Sequence, residues 1–346
     1  MASPVSVGSL GDEVTATPYA AGNGLPLFLA PASDRLRSSA EDVNNWLVEH
    51  AVAFDHVLAE VGAIVLRGFP IHSTDDFQTI GKHLPPLEMG YAGGNAPRES
   101  VKGNVMESTR ADPSVLLYLH QEMAYNPQYP TRIAFLCNVA SATGGETILA
   151  DVRQIERRLP PELAVGVKER GLRYIRNFRS PDRSTGNKDI DTFHNTWSRA
   201  FKTEDKDEVA AICDARGVRY TWQPDGSLTL VSDLPGYRKH PVTGEEVWFN
   251  QMHTMALKPP VITPELDEAM EDFYAASDMR RPFLVQYGDG GEIATEHLNA
   301  VYALFDELTV GFAWQAGDVM FIDNLHTAHG RNPFTGERDV QVQVFA

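Results

Sequence analysis

A short apolar run that ends in a histidine and a glutamate constrains the fold of this chain most strongly. Val115 to Leu119 is a partly β-branched segment typical of a strand, and His120-Gln-Glu122 follows it directly. Residues i and i+2 of an extended chain point to the same side, so His120 and Glu122 project together. One imidazole and one carboxylate are two ligands of a facial triad, which suits non-haem Fe(II). The pair alone is more often just a polar strand end, so a third ligand is required.

The third ligand stands near the C-terminus. Residues 310–323 are expected to form two strands around a Gly317-Asp318 turn of hairpin type, and His329-Gly-Arg follows just past the second strand. Gly330 would let another backbone approach closely. Arg338 begins the antiparallel return strand, from which its guanidinium can pair with a carboxylate of a metal-bound ligand.

Helix-type and strand-type segments alternate through the rest of the chain. Residues 1–25 are rich in Ser, Gly, Ala and Pro and are expected to form a flexible N-terminal arm. We find no internal repeat and no second linker, so residues 26–346 are predicted to form a single domain. Residues 178–200 are polar, contain several arginines and lack periodicity, which is typical of a lid-like insertion.

Composition restricts the partners and the compartment. The chain has 30 Lys and Arg against 47 Asp and Glu, a net charge of −17, which argues against nucleic acid or an anionic membrane as partner. Its two cysteines make no disulfide framework. There is no run of about 18 apolar residues and no export signal at the start. We therefore expect a cytoplasmic protein without a membrane segment.

Taken together, the motifs resemble those of a known family. His120-Gln-Glu122, Gly144-Gly-Glu-Thr147, Trp314-Gln-Ala-Gly-Asp-Val, His329-Gly-Arg and Pro333-Phe-Thr-Gly-Glu-Arg338 are similar in order and spacing to motifs of the Fe(II)/2-oxoglutarate dioxygenases of the taurine dioxygenase and clavaminate synthase-like group. The resemblance runs from about residue 25 to the end. It implies a mainly β protein with flanking helices (α+β), built on a double-stranded β-helix, or jelly roll, with a lid-like insertion.

The resemblance also implies roles for individual residues. His120, Glu122 and His329 would bind Fe(II), and Arg338 with Thr147 would bind the cosubstrate 2-oxoglutarate. The three protein ligands leave positions for 2-oxoglutarate and O2, which are converted to succinate and CO2 while an unactivated C–H bond is hydroxylated. Glu122 argues against halogenation, because related halogenases carry a small residue at that position.

Two rival classes are less consistent with the sequence. A zinc hydrolase would typically carry a His-Glu-x-x-His helix, and the chain has none. A metal-binding jelly-roll module without enzymatic activity would have no need of Thr147 and Arg338 in addition to the three metal ligands.

The prime substrate is the least constrained part of the prediction. Glu122 in the first motif and segments 95–98, 107–109 and 248–251 resemble the branch that hydroxylates amino acids, free or tethered to a carrier protein, in specialised metabolism. Loops placed over a rigid barrel usually supply the charges that such a substrate needs. The candidate substrate residues are Arg98, Glu107, Arg176, Arg179 and Asn250. The alternatives are another small molecule, or desaturation or cyclisation instead of hydroxylation.

Overall fold

A computed structural model describes residues 7–22, 24–88, 91–95, 98–108 and 111–346. The helices in these ranges are α1 (Ala40–Glu49), α2 (Ala51–Val61), α3 (Thr74–Gly81), α4 (Val152–Glu156), α5 (Pro161–Arg170), α6 (Lys188–Phe193), α7 (Trp197–Phe201), α8 (Lys206–Arg216), α9 (Met252–Met255), α10 (Pro264–Ala276) and α11 (Thr295–Leu308). Short 3-10 turns lie at Val7–Leu10, Ala20–Gly22 and Arg35–Arg37. None of the described helices is both long and apolar enough to cross a membrane.

The strands in the same ranges are β1 (Val14–Pro18), β2 (Leu27–Pro31), β3 (Ala63–Leu66), β4 (Ser100–Lys102), β5 (Val105–Glu107), β6 (Leu117–His120), β7 (Arg132–Val139), β8 (Thr143–Gly144), β9 (Thr147–Asp151), β10 (Leu172–Phe178), β11 (Arg219–Trp222), β12 (Leu228–Leu234), β13 (Tyr237–Lys239), β14 (Glu246–Trp248), β15 (Phe283–Tyr287), β16 (Val310–Phe312), β17 (Val319–Asp323), β18 (Thr327–Arg331), β19 (Phe334–Thr335) and β20 (Asp339–Phe345).

Two sheets form the jelly roll. The large sheet has the order β1-β2-β3-β17-β7-β20-β5-β4, and the small sheet has the order β16-β9-β18-β6. Apolar side chains of both sheets share one core, in which Phe135 and Met320 of the large sheet join Leu149 and Phe312 of the small sheet. The sheets therefore pack face to face, and the predicted double-stranded β-helix is confirmed.

Helices cover the outer faces of both sheets. Along β7, Ile133 and Phe135 face the core between the sheets, whereas Ala134 and Leu136 face a cluster that includes Trp46 of α1. Side chains alternate across a strand, so a strand buried on both faces is apolar throughout. The outer face of the small sheet packs against α4, α5, α11 and a third sheet of order β11-β12-β10-β15.

Residues 178–200 are folded more fully than their lack of periodicity indicated. They contain α6 and α7, whose first turns are capped by the side chains of Asn187 and Thr196. Trp197 and Phe201 pack with Phe178 in a buried cluster. Helices this short carry too few apolar positions to show a period of 3.6 residues in sequence.

The expected hairpin around Gly317-Asp318 is wrong. β16 pairs with β9 in the small sheet, whereas β17 pairs with β3 and β7 in the large sheet. The turn is held by Asp318, whose carboxylate accepts from the Gln315 N–H and from the Arg67 guanidinium. A jelly roll passes the chain from one sheet to the other, and a local turn signal does not distinguish this crossing from a hairpin.

Residues 7–22 are packed against the protein, which corrects the predicted flexible arm. β1 pairs with β2 at the edge of the large sheet, and Leu10 is fully buried beneath α1 and α2. Residues 1–6 and Asn23 lie outside the described residues. A short edge strand in a small, polar sequence has weak β propensity, and its stability comes from packing. That residues 26–346 form a single domain stays a prediction.

Leu10 provides a test of this packing. We expect Leu10→Ala to lower the free energy of unfolding by about 2–4 kcal/mol, because the lost side chain leaves a cavity in the core. Thr17→Ala, at an exposed position of β1, is the control and should change little. Urea denaturation measures both. If Leu10→Ala changed the free energy of unfolding as little as the control does, the predicted flexible N-terminal arm would be supported instead.

Candidate active site

Neighbouring strands of the small sheet bring two distant histidines together. His120 ends β6 and lies opposite His329 of β18. Oε2 of Glu122 lies 3.5 Å from Nε2 of His329 and 3.9 Å from Nε2 of His120. Gly330 allows this approach, as predicted, because a Cβ there would lie 2.3 Å from the carbonyl oxygen of Leu117. We call His120, Glu122 and His329 the triad.

The protonation of the triad suits a divalent metal. Nδ1 of His120 lies 2.9 Å from the Tyr118 carbonyl oxygen, which can only accept, so the lone pair remains on Nε2. Burial and the nearby His329 lower the pKa of His120 to about 4. Burial raises the pKa of Glu122, but Arg98 and both imidazoles outweigh this and hold it below its usual range. Imidazoles and a carboxylate that converge in this way could hold Fe(II) with positions left open.

The side chain of Asn324 positions Glu122 by hydrogen bonding to the Glu122 backbone. Its Oδ1 accepts from the Glu122 N–H at 2.7 Å, and its Nδ2 donates to the carbonyls of Glu122 at 3.0 Å and Pro130 at 2.7 Å. The next residue, Met123, has a φ of 57°, which is unfavourable for a side chain with a Cβ. The hydrogen bonds of the buried Asn324 side chain therefore offset the backbone strain at Met123. Asn324 was not among the site residues predicted from the sequence.

A narrow cleft beside the triad could hold a dicarboxylate. It is lined by Arg98, Ser108, Leu117, His120, Phe135, Thr147, His329, Gly330, Arg331, Arg338 and Val340. The Trp314 indole donates to Oγ1 of Thr147 at 3.1 Å, which leaves the hydroxyl proton free for a carboxylate. Nε of Arg338 donates to the Gly145 carbonyl at 3.1 Å. Burial and Arg331 lower the pKa of Arg338 to about 10, so it remains a cation at neutral pH.

Comparison with known sequences agrees with this arrangement. The family described as "Taurine catabolism dioxygenase TauD, TfdA family" matches residues 29–343. The chain belongs to this family. It is 30% identical over 320 residues to the dapdiamide synthesis protein DdaC of Enterobacter agglomerans, covering 91% of each chain. It is 29% identical over 290 residues to a clavaminate synthase-like protein of Arabidopsis thaliana, At3g21360, covering 83% of this chain and 82% of that one.

Solved structures show the same fold. PvcB from Pseudomonas aeruginosa aligns with a TM-score of 0.51 at 14% identity, over 97% of this chain and 92% of that one. A taurine dioxygenase from Burkholderia xenovorans aligns with a TM-score of 0.51 at 17% identity, over 96% and 89%. By its family, the protein is a 2-oxoglutarate-dependent dioxygenase that uses Fe(II) and O2. The iron, when bound, supplies O2 activation coupled to decarboxylation of 2-oxoglutarate.

Among the candidate substrate residues, Arg98 lies beside the triad. Its Nη2 donates to Oε2 of Glu122 at 2.9 Å, and its guanidinium lies 4.4 Å from the ring centroid of Tyr91. Glu107 lies in β5 opposite Gln341 of β20, and its neighbour Ser108 lines the cleft in its place. Residues 96–97 and 109–110 of the two predicted segments lie outside the described residues.

The positions of Arg176, Arg179 and Asn250 correct the sequence prediction. Arg176 donates to the Gly93 carbonyl at 2.7 Å, and Arg179 donates to carbonyls within its own loop. Asn250 donates to the Gly236 carbonyl at 3.1 Å. All three are buried, and none lines the cleft. Sequence reasoning treated them as available because it cannot show which backbone carbonyls a polar side chain will satisfy.

A second cluster, His240, Asp323 and His326, resembles a metal site in composition. Nδ1 of His240 accepts from the N–H groups of Val242 and Thr243, so Nε2 carries the proton and donates to Asp323 at 2.7 Å. The two imidazole rings are stacked, with centroids 4.1 Å apart and planes at 15°, so their lone pairs do not converge. We assign this cluster a structural role at the turn between β17 and β18.

Substitution of Asn324 tests its role in positioning Glu122. We expect Asn324→Ala to lower the free energy of unfolding by about 2–4 kcal/mol, because it leaves a buried N–H and two carbonyls without partners. Affinity for Mn(II) should fall as well. Asn299→Ala, at an exposed position of α11, is the control. Unchanged stability and metal affinity in Asn324→Ala would contradict the assigned role.

Proposed function

We propose that the dioxygenase hydroxylates an unactivated aliphatic carbon of an amino acid or amino-acid derivative in specialised metabolism. The observation that carries this proposal is the buried cation Arg98, which lines the same cleft as His120, His329 and Arg338. A guanidinium in that position suits a substrate that brings its own carboxylate. The relative DdaC is named for dapdiamide synthesis, which supports a place in specialised metabolism.

In this proposal the cleft divides into two ends. His120, Glu122 and His329 hold Fe(II), while Arg338 and the Thr147 hydroxyl bind the distal carboxylate of 2-oxoglutarate. Arg338 has one backbone partner, through Nε, among the described residues, so its two Nη groups have the capacity for a bidentate carboxylate. Phe135 and Val340 supply apolar wall between the ends and help to exclude water from the reacting atoms.

Arg98 favours the free form of the substrate over the carrier-bound form. A free amino acid presents an α-carboxylate, whereas an aminoacyl thioester has lost that charge and makes little use of a buried guanidinium. Glu107 does not line the cleft. We therefore assign Ser108 as the partner of the substrate's ammonium group, because its hydroxyl can accept a hydrogen bond. Groups that satisfy both charges of an amino acid discriminate it from a neutral molecule of similar size.

A succinate-release screen tests the proposed function. Purified enzyme with Fe(II), 2-oxoglutarate and O2 is offered free amino acids, carrier-bound aminoacyl thioesters and small non-amino acids such as sulfonates. We expect a free amino acid to stimulate succinate release and to yield a product heavier by one oxygen atom. His329→Ala, which lacks one triad ligand, is the inactive control. Coupled turnover of non-amino acids alone would overturn the amino-acid assignment but leave the oxygenase intact.

Substitution of Arg338 tests cosubstrate binding separately from substrate binding. We expect Arg338→Ala to weaken 2-oxoglutarate binding by roughly tenfold to a hundredfold, since a charge-assisted hydrogen bond is worth about 1.5–3 kcal/mol. The KM of the prime substrate should change far less. Arg338→Lys keeps the charge but loses the planar pairing, so its effect should be intermediate. An unchanged requirement for 2-oxoglutarate in Arg338→Ala would place the cosubstrate elsewhere.

A further inference from the structure

Arg98 is bound to the oxygen atom through which Glu122 would reach a metal. Its Nη2 donates to Oε2 at 2.9 Å, and Oε2 is the carboxylate oxygen that faces Nε2 of both histidines. The side chains of Arg98 and Glu122 are only 5% and 8% exposed. Charges buried to this extent are weakly screened by solvent and salt.

The guanidinium is held in place as a permanent cation. It stacks on the ring of Tyr91, and the backbone carbonyl of Arg98 accepts from the Lys202 ammonium group. Arginine does not lose its proton in proteins. The hydrogen bond of 2.9 Å therefore keeps a full positive charge beside the oxygen atom that would bind a divalent cation, and like charges this close repel each other.

We propose that Arg98 competes with the metal for Glu122, and that its charge makes metal affinity respond to an anion in the cleft. The buried Nε of Arg98 has no hydrogen-bond partner among the described residues, so the guanidinium retains capacity for a carboxylate. An anion that pairs with Arg98 offsets its repulsion of the metal. Coupling between two binding events is reciprocal, so metal and carboxylate strengthen each other's binding.

Titration with Mn(II), followed by the electron paramagnetic resonance of the free ion, tests the competition without enzyme turnover. Arg98→Met removes the charge, Arg98→Gln removes it but keeps a hydrogen-bond donor, and Arg98→Lys keeps the charge. We expect the two neutral variants to bind Mn(II) at least about tenfold more tightly than the wild type, and the lysine variant to stay within about threefold. Arg98→Gln keeps the test valid if Arg98→Met fails to fold.

Arg170→Met is the matched control. Arg170 likewise stacks on a tyrosine, with its guanidinium 3.7 Å from the Tyr287 centroid, and pairs with Asp289 at 2.8 Å, but it lies on the surface. Its loss should leave Mn(II) affinity unchanged. Weaker or unchanged Mn(II) binding in both neutral Arg98 variants would overturn the proposal, because an outer partner that only orients a ligand raises metal affinity.

The coupling to an anion rests on the proposed function and has its own readout. An amino acid that releases succinate in the screen should tighten Mn(II) binding to the wild type and not to Arg98→Met. Equal tightening in both proteins would overturn the coupling. Failure of the screen to find an amino-acid substrate would refute the proposed function, whereas the titration with Mn(II) alone would still decide whether Arg98 competes with the metal.

Discussion

The pairing of β6 with β18 is the interaction on which the rest of the site depends. It places His120 opposite His329, and it is possible only because Gly330 lets the two backbones approach closely. On its other side β18 pairs with β9, where Thr147 lies opposite Arg331. One central strand of the small sheet therefore connects the candidate metal end of the cleft to the proposed 2-oxoglutarate end. Because sheet register fixes both, a slip of one residue would point every one of these side chains the other way.

The three arginines in the cleft differ in how much hydrogen-bonding capacity they retain. Arg331 donates to three backbone carbonyls of residues 111–115, so its charge supports the loop before β6. Among the described residues, Arg338 donates to one backbone carbonyl, and Arg98 donates to the Glu122 carboxylate. Burial of Arg338 beside Arg331 disfavours its charged form, which lowers its pKa. A dianionic cosubstrate in the proposed position would relieve this repulsion, and the cleft would then bind it more favourably than its hydrogen bonds alone would indicate.

The sequence was most informative where chemistry and local geometry coincide. The alternation at His120 and Glu122, the glycine after His329 and the arginine before β20 each follow from a few adjacent residues, and the structure brings these groups together. The hairpin at Gly317-Asp318 and the loose N-terminus were wrong, because strand partners are chosen by packing across the whole sheet. Asn324 was not assigned a role, since its partners are backbone groups that no side-chain pattern reveals.

Arg176 connects the third sheet to the segment that carries Arg98. From β10 it donates to the Gly93 carbonyl and to Oδ1 of Asn95, and its guanidinium stacks on the ring of Tyr125. The Tyr125 hydroxyl in turn accepts from the Asn95 N–H. Because Tyr125 closely follows Glu122 in the chain, the same buried cation holds the start of the segment and the loop after the triad carboxylate. From the third sheet, outside the jelly roll, Arg176 thus acts on the site indirectly, because it holds Gly93, Asn95 and the ring of Tyr125.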